Sequence, residues 1–190
     1  LVERCEGTPL FIIELLRHML AEGSITMKQG KYVIVNEDYP IPETLEEVIQ
    51  DRLDSLDADC LSLAEYASCI GREFDVSVAL SFGRLPDART TLAKLSASGH
   101  IAVLGERAEF AHAYFQSSLY SNIAPHWRSA YHKALGSHYE GAFAGRLTEA
   151  AYDLARHFSA TSEHDKACDY GVMAAERAEA SYAAEQAVAY

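Results

Sequence analysis

Apolar residues recur along this chain at helical spacing, and glycine repeatedly closes the run. Leu10, Ile12, Ile13, Leu15, Leu16, Met19 and Leu20 make one amphipathic helix from Pro9 to Glu22, with Gly23 as its stop. The same reasoning predicts short helices over Ala58 to Ile70 ahead of Gly71, over Asp75 to Ser81 behind a capping Asp75, and over Pro86 to Ala97 ahead of Gly99. Thr44, Leu45, Glu46 and Glu47 fit a capping box, the Thr44 hydroxyl accepting from the Glu47 amide while the Glu47 carboxylate reaches back, for a helix to about Leu56. Beyond His112 the pattern is helical almost throughout, in segments near His112 to Asn122, Pro125 to Phe143, Thr148 to Ser159 and Asp165 to Tyr182. A further helix is expected to open near Ala183. A chain patterned in this way folds as mostly α.

Strand signals fall in two places. Ser24 to Val35 carries Ile25 and Met27, a Gln29-Gly30 turn, and the β-rich run Tyr32, Val33, Ile34, Val35. Ile101 to Leu104, a turn at Gly105-Glu106, and Ala108 to Ala111 make a second short hairpin. Asn36 to Glu43 holds Pro40 and Pro42, which bar helix interior and predict an extended linker. Three helices and a hairpin is the order of a winged helix-turn-helix domain. Lys166, Ala167, Tyr170, Ala174 and Ala178 set small residues where two helices must approach, as at the start of a helical repeat array. The expected fold is therefore mostly α: a winged helix-turn-helix domain with two short β-hairpins, followed by TPR-like α-helical repeats. Expected boundaries are 1–56 for the first helices and hairpin, 57–122 for the winged helix, and 123–190 for a helical linker and the first repeats.

Charge and motif content narrow the function classes. The chain has 190 residues, enough for a hydrophobic core without disulfide support, and 49% of them are hydrophobic. Lys and Arg number 16 against 28 Asp and Glu, a net charge of -12 that disfavours a phosphate-binding surface. The longest apolar stretch, Pro9 to Ile13, is broken by Glu14 and Arg17, so no membrane span or membrane partner is expected. The sequence opens on Leu1 with no signal-peptide pattern and is read as a piece of a longer chain. Cys5, Cys60, Cys69 and Cys168 form no C-x-x-C pair, and as reduced, buried thiols they suit the cytoplasm.

Catalytic patterns fail one by one. His18, His100, His112, His126, His132, His138, His157 and His164 give no H-E-x-x-H and no Cys-His spacing for zinc, so each reads as a solvated or packed side chain and no metal site is expected. Gly136 to Gly141 has the glycine spacing of a phosphate loop, but Ala142-Phe143 follows in place of Lys-Ser/Thr and the segment lies in a helical pattern. There is no nucleophile elbow. No enzyme activity of its own, and no catalytic residue, is expected.

Several motifs in order resemble one family. Gly7-Thr8-Pro9-Leu10-Phe11-Ile12 with Glu14-Leu15-Leu16, then Ile41-Pro42-Glu43-Thr44, Arg52-Leu53-Asp54-Ser55-Leu56, Gly71-Arg72-Glu73-Phe74 and Phe110-Ala111-His112 look like the part that follows the nucleotide domain in STAND-class, AAA+-related signalling ATPases. The flavour resembles bacterial proteins that join this ATPase to adenylate cyclase domains or to LuxR-type transcription regulators. The resemblance implies that 1–56 is the helical lid of the ATPase, and that an upstream nucleotide-binding domain of the same protein holds ATP or ADP with Mg. It further implies a repeat array that senses a protein or small-molecule ligand, with this chain transmitting nucleotide state between the two.

The resemblance also implies nucleotide-facing residues. The family carries Gly-x-Pro at the lid, which maps to Gly7 and Pro9 with Thr8 in the variable position. Thr8 and Pro9 have a structural reading as well, as helix cap and first helical residue. His112 maps to the histidine of the methionine-histidine-aspartate motif, which meets the β-phosphate of ADP; Ala111 and Ala113 stand where that motif has Met and Asp. A DNA-binding transcription regulator is the alternative reading. Its recognition helix, Pro86 to Ala97, would offer only Arg89 and Lys94, beside Arg84 and Asp87, so DNA is not expected to bind through this segment.

Overall fold

The computed structural model describes residues 9–36, 42 and 44–189, apart from the side chains of Leu10 and 182–189. Gly7, Thr8, Cys5, Ile41 and Glu43, and most of the linker expected over Asn36 to Glu43, lie outside the described residues. The chain divides into two compact units, Leu1–Ala58 and Asp59–Tyr190.

In the first unit, α1 (Pro9–Ala21) leads into an antiparallel hairpin of β1 (Ile25–Lys28) and β2 (Lys31–Ile34), and α2 (Leu45–Asp54) follows. Gly23 takes φ +71° to end α1, with the Ser24 amide donating to Met19 O at 2.9 Å and the Gly23 amide to Leu20 O at 3.1 Å. That crossed pair is a Schellman stop. Gln29 and Gly30 both adopt positive φ (51° and 76°), as a two-residue hairpin turn requires. The capping box on α2 forms as read: Glu47 N donates to Thr44 Oγ1 at 3.1 Å and Thr44 N to Glu47 Oε2 at 3.4 Å. Phe11, Leu15 and Met19 of α1 close on Ile25 and Val48. Glu14 and Arg52 form a buried ion pair between α1 and α2, and Arg17 reaches Glu14 at 3.0 Å from the exposed side. His18 stands 3.5 Å from Asp51 in the same seam.

The second unit opens with α3 (Ala58–Ile70), β3 (Glu73–Asp75), α4 (Val76–Leu80), α5 (Ala88–Ala97), β4 (Ile101–Leu104) and β5 (Arg107–Phe110). Its three strands are antiparallel in the order β3-β5-β4, so the expected second hairpin gains a third strand. Two helix starts differ from the sequence reading. Asp75 precedes α4 but makes no side-chain cap, because it closes β3. Pro86 lies outside α5, which starts at Ala88 with Asp87 as its cap. Leu95, Ile101, Phe110, Phe115 and Leu119 are buried together with Phe74 and Leu63.

Four helical stretches complete this unit: α6 (Ala113–Asn122), α7 (Pro125–Ala142), a 3-10 turn (Leu147–Ala150) running into α8 (Ala151–Ser159), and α9 (His164–Ala189). Consecutive helices pair, α7 with α8 and α8 with α9. At Gly136 α7 and α8 approach closely: an added Cβ would lie 2.8 Å from the Phe158 ring. Phe158 also stacks on Tyr170, with ring centroids 5.6 Å apart. The new helix expected near Ala183 does not begin there; α9 continues without a break to Ala189. The segment has no Gly or Pro to stop it. The architecture is thus mostly helical with two small sheets.

Candidate functional site

The residues singled out from the sequence fall in both units. Pro9 is the first residue of α1 and is exposed. Gly7 and Thr8, including Thr8 as its cap, lie outside the described residues. His112 lies in the second unit, between β5 and α6, where it is half-buried. It is the N-cap of α6, and its Nδ1 accepts from the Tyr114 amide at 3.0 Å. An accepting Nδ1 carries no proton, so the neutral ring bears its proton on Nε2. That N–H is a donor at the start of a helix, where the backbone field also favours an anion.

A second polar cluster lies where α3, α6, α7 and α8 meet. His132 and His157 are buried, at 3% and 0% exposure, with their Nδ1 atoms 2.9 Å apart. Tyr120 of α6 reaches His132 Nε2 at 3.1 Å, and Arg156 Nη2 reaches His157 Nε2 at the same distance. Arg156 also binds the end of α3, donating to Ile70 O at 2.8 Å and to Cys69 O at 3.5 Å. Tyr139 stacks on His157 with an interplanar angle of 19°. Burial, with the Arg156 and Arg128 charges added, holds His132 down at about 4; burial and then Arg156 hold His157 at about 3. Both rings are therefore neutral at physiological pH.

Sequence reading took His132 and His157 as solvated or packed side chains without choosing between the two. The signal that could have singled them out is positional. His132 sits one turn before Leu135, and His157 one turn after Leu154, on faces that bury those leucines. A histidine on each of two packed apolar faces predicts a buried pair.

A cleft of about 350 Å³ lies between α3, the loop ahead of α5, and α7. Asp59, Ser62 and Glu65 line one side, and Trp127 and Tyr131 the other, with Arg84 4.0 Å above the Trp127 ring. Desolvation raises the Glu65 carboxyl above its usual range, and Tyr131 donates to it at 3.1 Å. With two carboxylates and a guanidinium on its walls, the cleft selects for neither sign of charge. Among the described residues, no group of three or more His, Cys, Asp or Glu could hold a metal ion, and no helix is long and apolar enough to cross a membrane. Comparison with protein-family models, with curated proteins and with solved structures finds no match to this chain. Function is argued below from the residues and their geometry.

Proposed function

We propose that this chain is a regulatory segment of a STAND-type, ATP-dependent signalling switch: lid helices, a winged-helix domain and the first TPR-like repeats, passing nucleotide state between an ATPase core and a ligand-sensing array. The observation that carries the reading is His112. It joins β5 to α6, as the motif order requires, and its Nδ1 is engaged by the Tyr114 amide 3.0 Å away, which leaves the Nε2 proton to donate. A neutral imidazole so tied can bond a phosphate oxygen without taking up a proton. The order helix, strand, two helices and two strands, with the sheet in the order β3-β5-β4, supports a winged helix. The α7–α8 and α8–α9 pairs support a repeat array, since successive helices pack on one another.

In this reading ATP or ADP with Mg is held by the upstream nucleotide-binding domain. Pro9 and His112 meet the nucleotide from the lid and the winged helix, with Gly7 and Thr8 alongside Pro9. The chemistry resides in the upstream domain, and the chain alone does not turn over ATP. Operator DNA binding through α5 finds little support: Arg89 and Lys94 are its exposed cations, while Glu73, Asp75 and Glu106 are exposed on and beside the sheet. The deciding experiment is ADP release from the protein that joins this chain to its ATPase domain. His112→Ala removes one hydrogen bond to a charged group and is expected to speed release about tenfold or more. An unchanged off-rate removes His112 from the mechanism, and Mg-dependent ATP hydrolysis by the chain alone removes the whole reading.

A further inference from the structure

The four side chains at the meeting of α3, α6, α7 and α8 admit a single consistent arrangement of protons. An arginine only donates, so the Arg156 contact to His157 Nε2 at 3.1 Å makes that nitrogen an acceptor and puts the His157 proton on Nδ1. The His157 Nδ1–H then donates across 2.9 Å to His132 Nδ1, which must accept. His132 consequently carries its proton on Nε2 and donates to the Tyr120 hydroxyl oxygen at 3.1 Å. The opposite tautomers would set an N–H of His157 against an N–H of Arg156. Arg156 Nη2 has two protons and meets Ile70 O at 2.8 Å and His157 Nε2 at 3.1 Å, with Asp153 Oδ1 at a longer 3.5 Å, so one guanidinium orientation serves both the end of α3 and the chain of contacts.

We propose that Arg156, His157, His132 and Tyr120 form a directional hydrogen-bond relay that ties the seating of α8 against the end of α3 to the position of α6. The Arg156–His157 link lies within α8, while the others join α8 to the end of α3, α8 to α7 and α7 to α6. The two central rings are buried, so water does not replace a broken link at low cost. The groups facing the rings are Arg156 and Asp153 of α8, Tyr120 of α6 with Arg128 of α7 over its ring at 5.4 Å, and Tyr139 of α7. No carboxylate contacts either histidine among the described residues, so no carboxylate there stabilises a further proton on the neutral pair. A proton added to His132 goes on Nδ1 and turns both facing Nδ1 atoms into donors, and one added to His157 goes on Nε2 and sets it against the Arg156 N–H. Either breaks a link, which gives the relay its second state. The relay goes beyond the nucleotide reading and does not require it. If His112 senses nucleotide, the relay ends on the helix that His112 caps.

Histidine-selective nitrogen NMR on the intact chain, with amide hydrogen exchange and no nucleotide present, tests this. The expected tautomers are Nδ1–H for His157 and Nε2–H for His132. Tyr120→Phe removes one half-buried hydroxyl and leaves the packing in place. It is expected to raise exchange over Ala151–Ser159 about fivefold or more, and Arg156→Gln is expected to do the same over Ala113–Asn122. Reversed tautomers overturn the relay. So does a Tyr120→Phe variant whose exchange rises only within α6, since a hydroxyl with a merely local role would act there alone. Should Arg156→Gln fail to fold, Tyr120→Phe and the tautomers decide the matter. Neither outcome bears on ADP release, so this inference and the nucleotide reading fail separately.

Discussion

Gly136 and Gly171 lie inside α7 and α9 and differ in what surrounds them. A Cβ at Gly136 would stand 2.8 Å and 2.9 Å from two atoms of the Phe158 ring, whereas one at Gly171 meets nothing within 4 Å. Phe158 is fully buried and cannot swing away. Gly136→Ala sets overpacking of about 1–3 kcal/mol against a gain of about 1 kcal/mol in helix propensity, and is expected to lower the melting temperature. Gly171→Ala keeps only the gain and should raise it by about 2–4 °C in calorimetry. If both variants shift the same way, the close approach of α7 and α8 is not as described. The buried Glu14–Arg52 pair supplies a second comparison. Arg52→Met takes from the Glu14 carboxylate its buried partner and leaves it Arg17 on the exposed side, and should cost about 2–3 kcal/mol in chemical denaturation, while Glu14→Leu with Arg52→Met should recover most of it. A double variant as unstable as the single one would deny the coupling. Neither feature was legible in the sequence. Gly136 drew notice only as a failed phosphate loop, and Glu14 read as an interruption of an apolar run, because each depends on a partner 22 or more positions away.

At the scale of elements, local signals were read well where the deciding group is also local. Gly23 and Gly99 stop α1 and α5 with the same crossed hydrogen bonds; His100 N donates to Leu95 O at 3.0 Å as Ser24 N does to Met19 O. Thr44 forms its capping box, and Thr44→Ala should destabilise α2 by about 1 kcal/mol, visible as faster exchange over Leu45–Asp54. The misreadings came from longer range. β3 is three residues long and exists through its pairing with β5, from Glu73↔Glu109 to Asp75↔Arg107, so no period within its own segment announces it. That pairing claims Asp75 and leaves α4 without a side-chain cap. At α5 two groups competed for the helix start, and the carboxylate won: Asp87 accepts from Thr90 N at 3.0 Å and from the Thr90 hydroxyl at 2.5 Å. Asp87→Ala should therefore lower the melting temperature by about 2–4 °C, while Asp75→Ala should leave the start of α4 unchanged. Equal effects at the two positions would mean that the sequence pattern, not the observed cap, describes these helices.

For the molecule as a whole, the buried histidine pair makes stability depend on pH near neutrality. His132 and His157 are held at about 4 and about 3 in the folded chain, mainly by burial and then by the Arg156 charge. In the unfolded chain each returns to about 6.5. As pH falls below that value the unfolded state gains protons that the folded state refuses, so stability is complete above about pH 6.5 and declines toward pH 4. Each ring contributes at most about 1.4 kcal/mol per pH unit below about 6.5, so for the two rings moving from pH 7.5 to 5.5 should cost about 3 kcal/mol. Other shifted groups act elsewhere or more weakly. Glu140 and Glu163 are lowered from the usual glutamate value and lose their contribution only under more acid conditions; Glu65 is raised and opposes the trend. Urea midpoints at the two pH values separate these effects. The wild-type chain should lose its midpoint between pH 7.5 and 5.5, and a His132→Phe/His157→Phe chain, whose rings fill the same space without taking protons, should hold a flatter profile. A wild-type midpoint that does not move would show that the pair is protonated as readily in the fold as in water. An equal slope in the double variant would place the sensitivity in other groups.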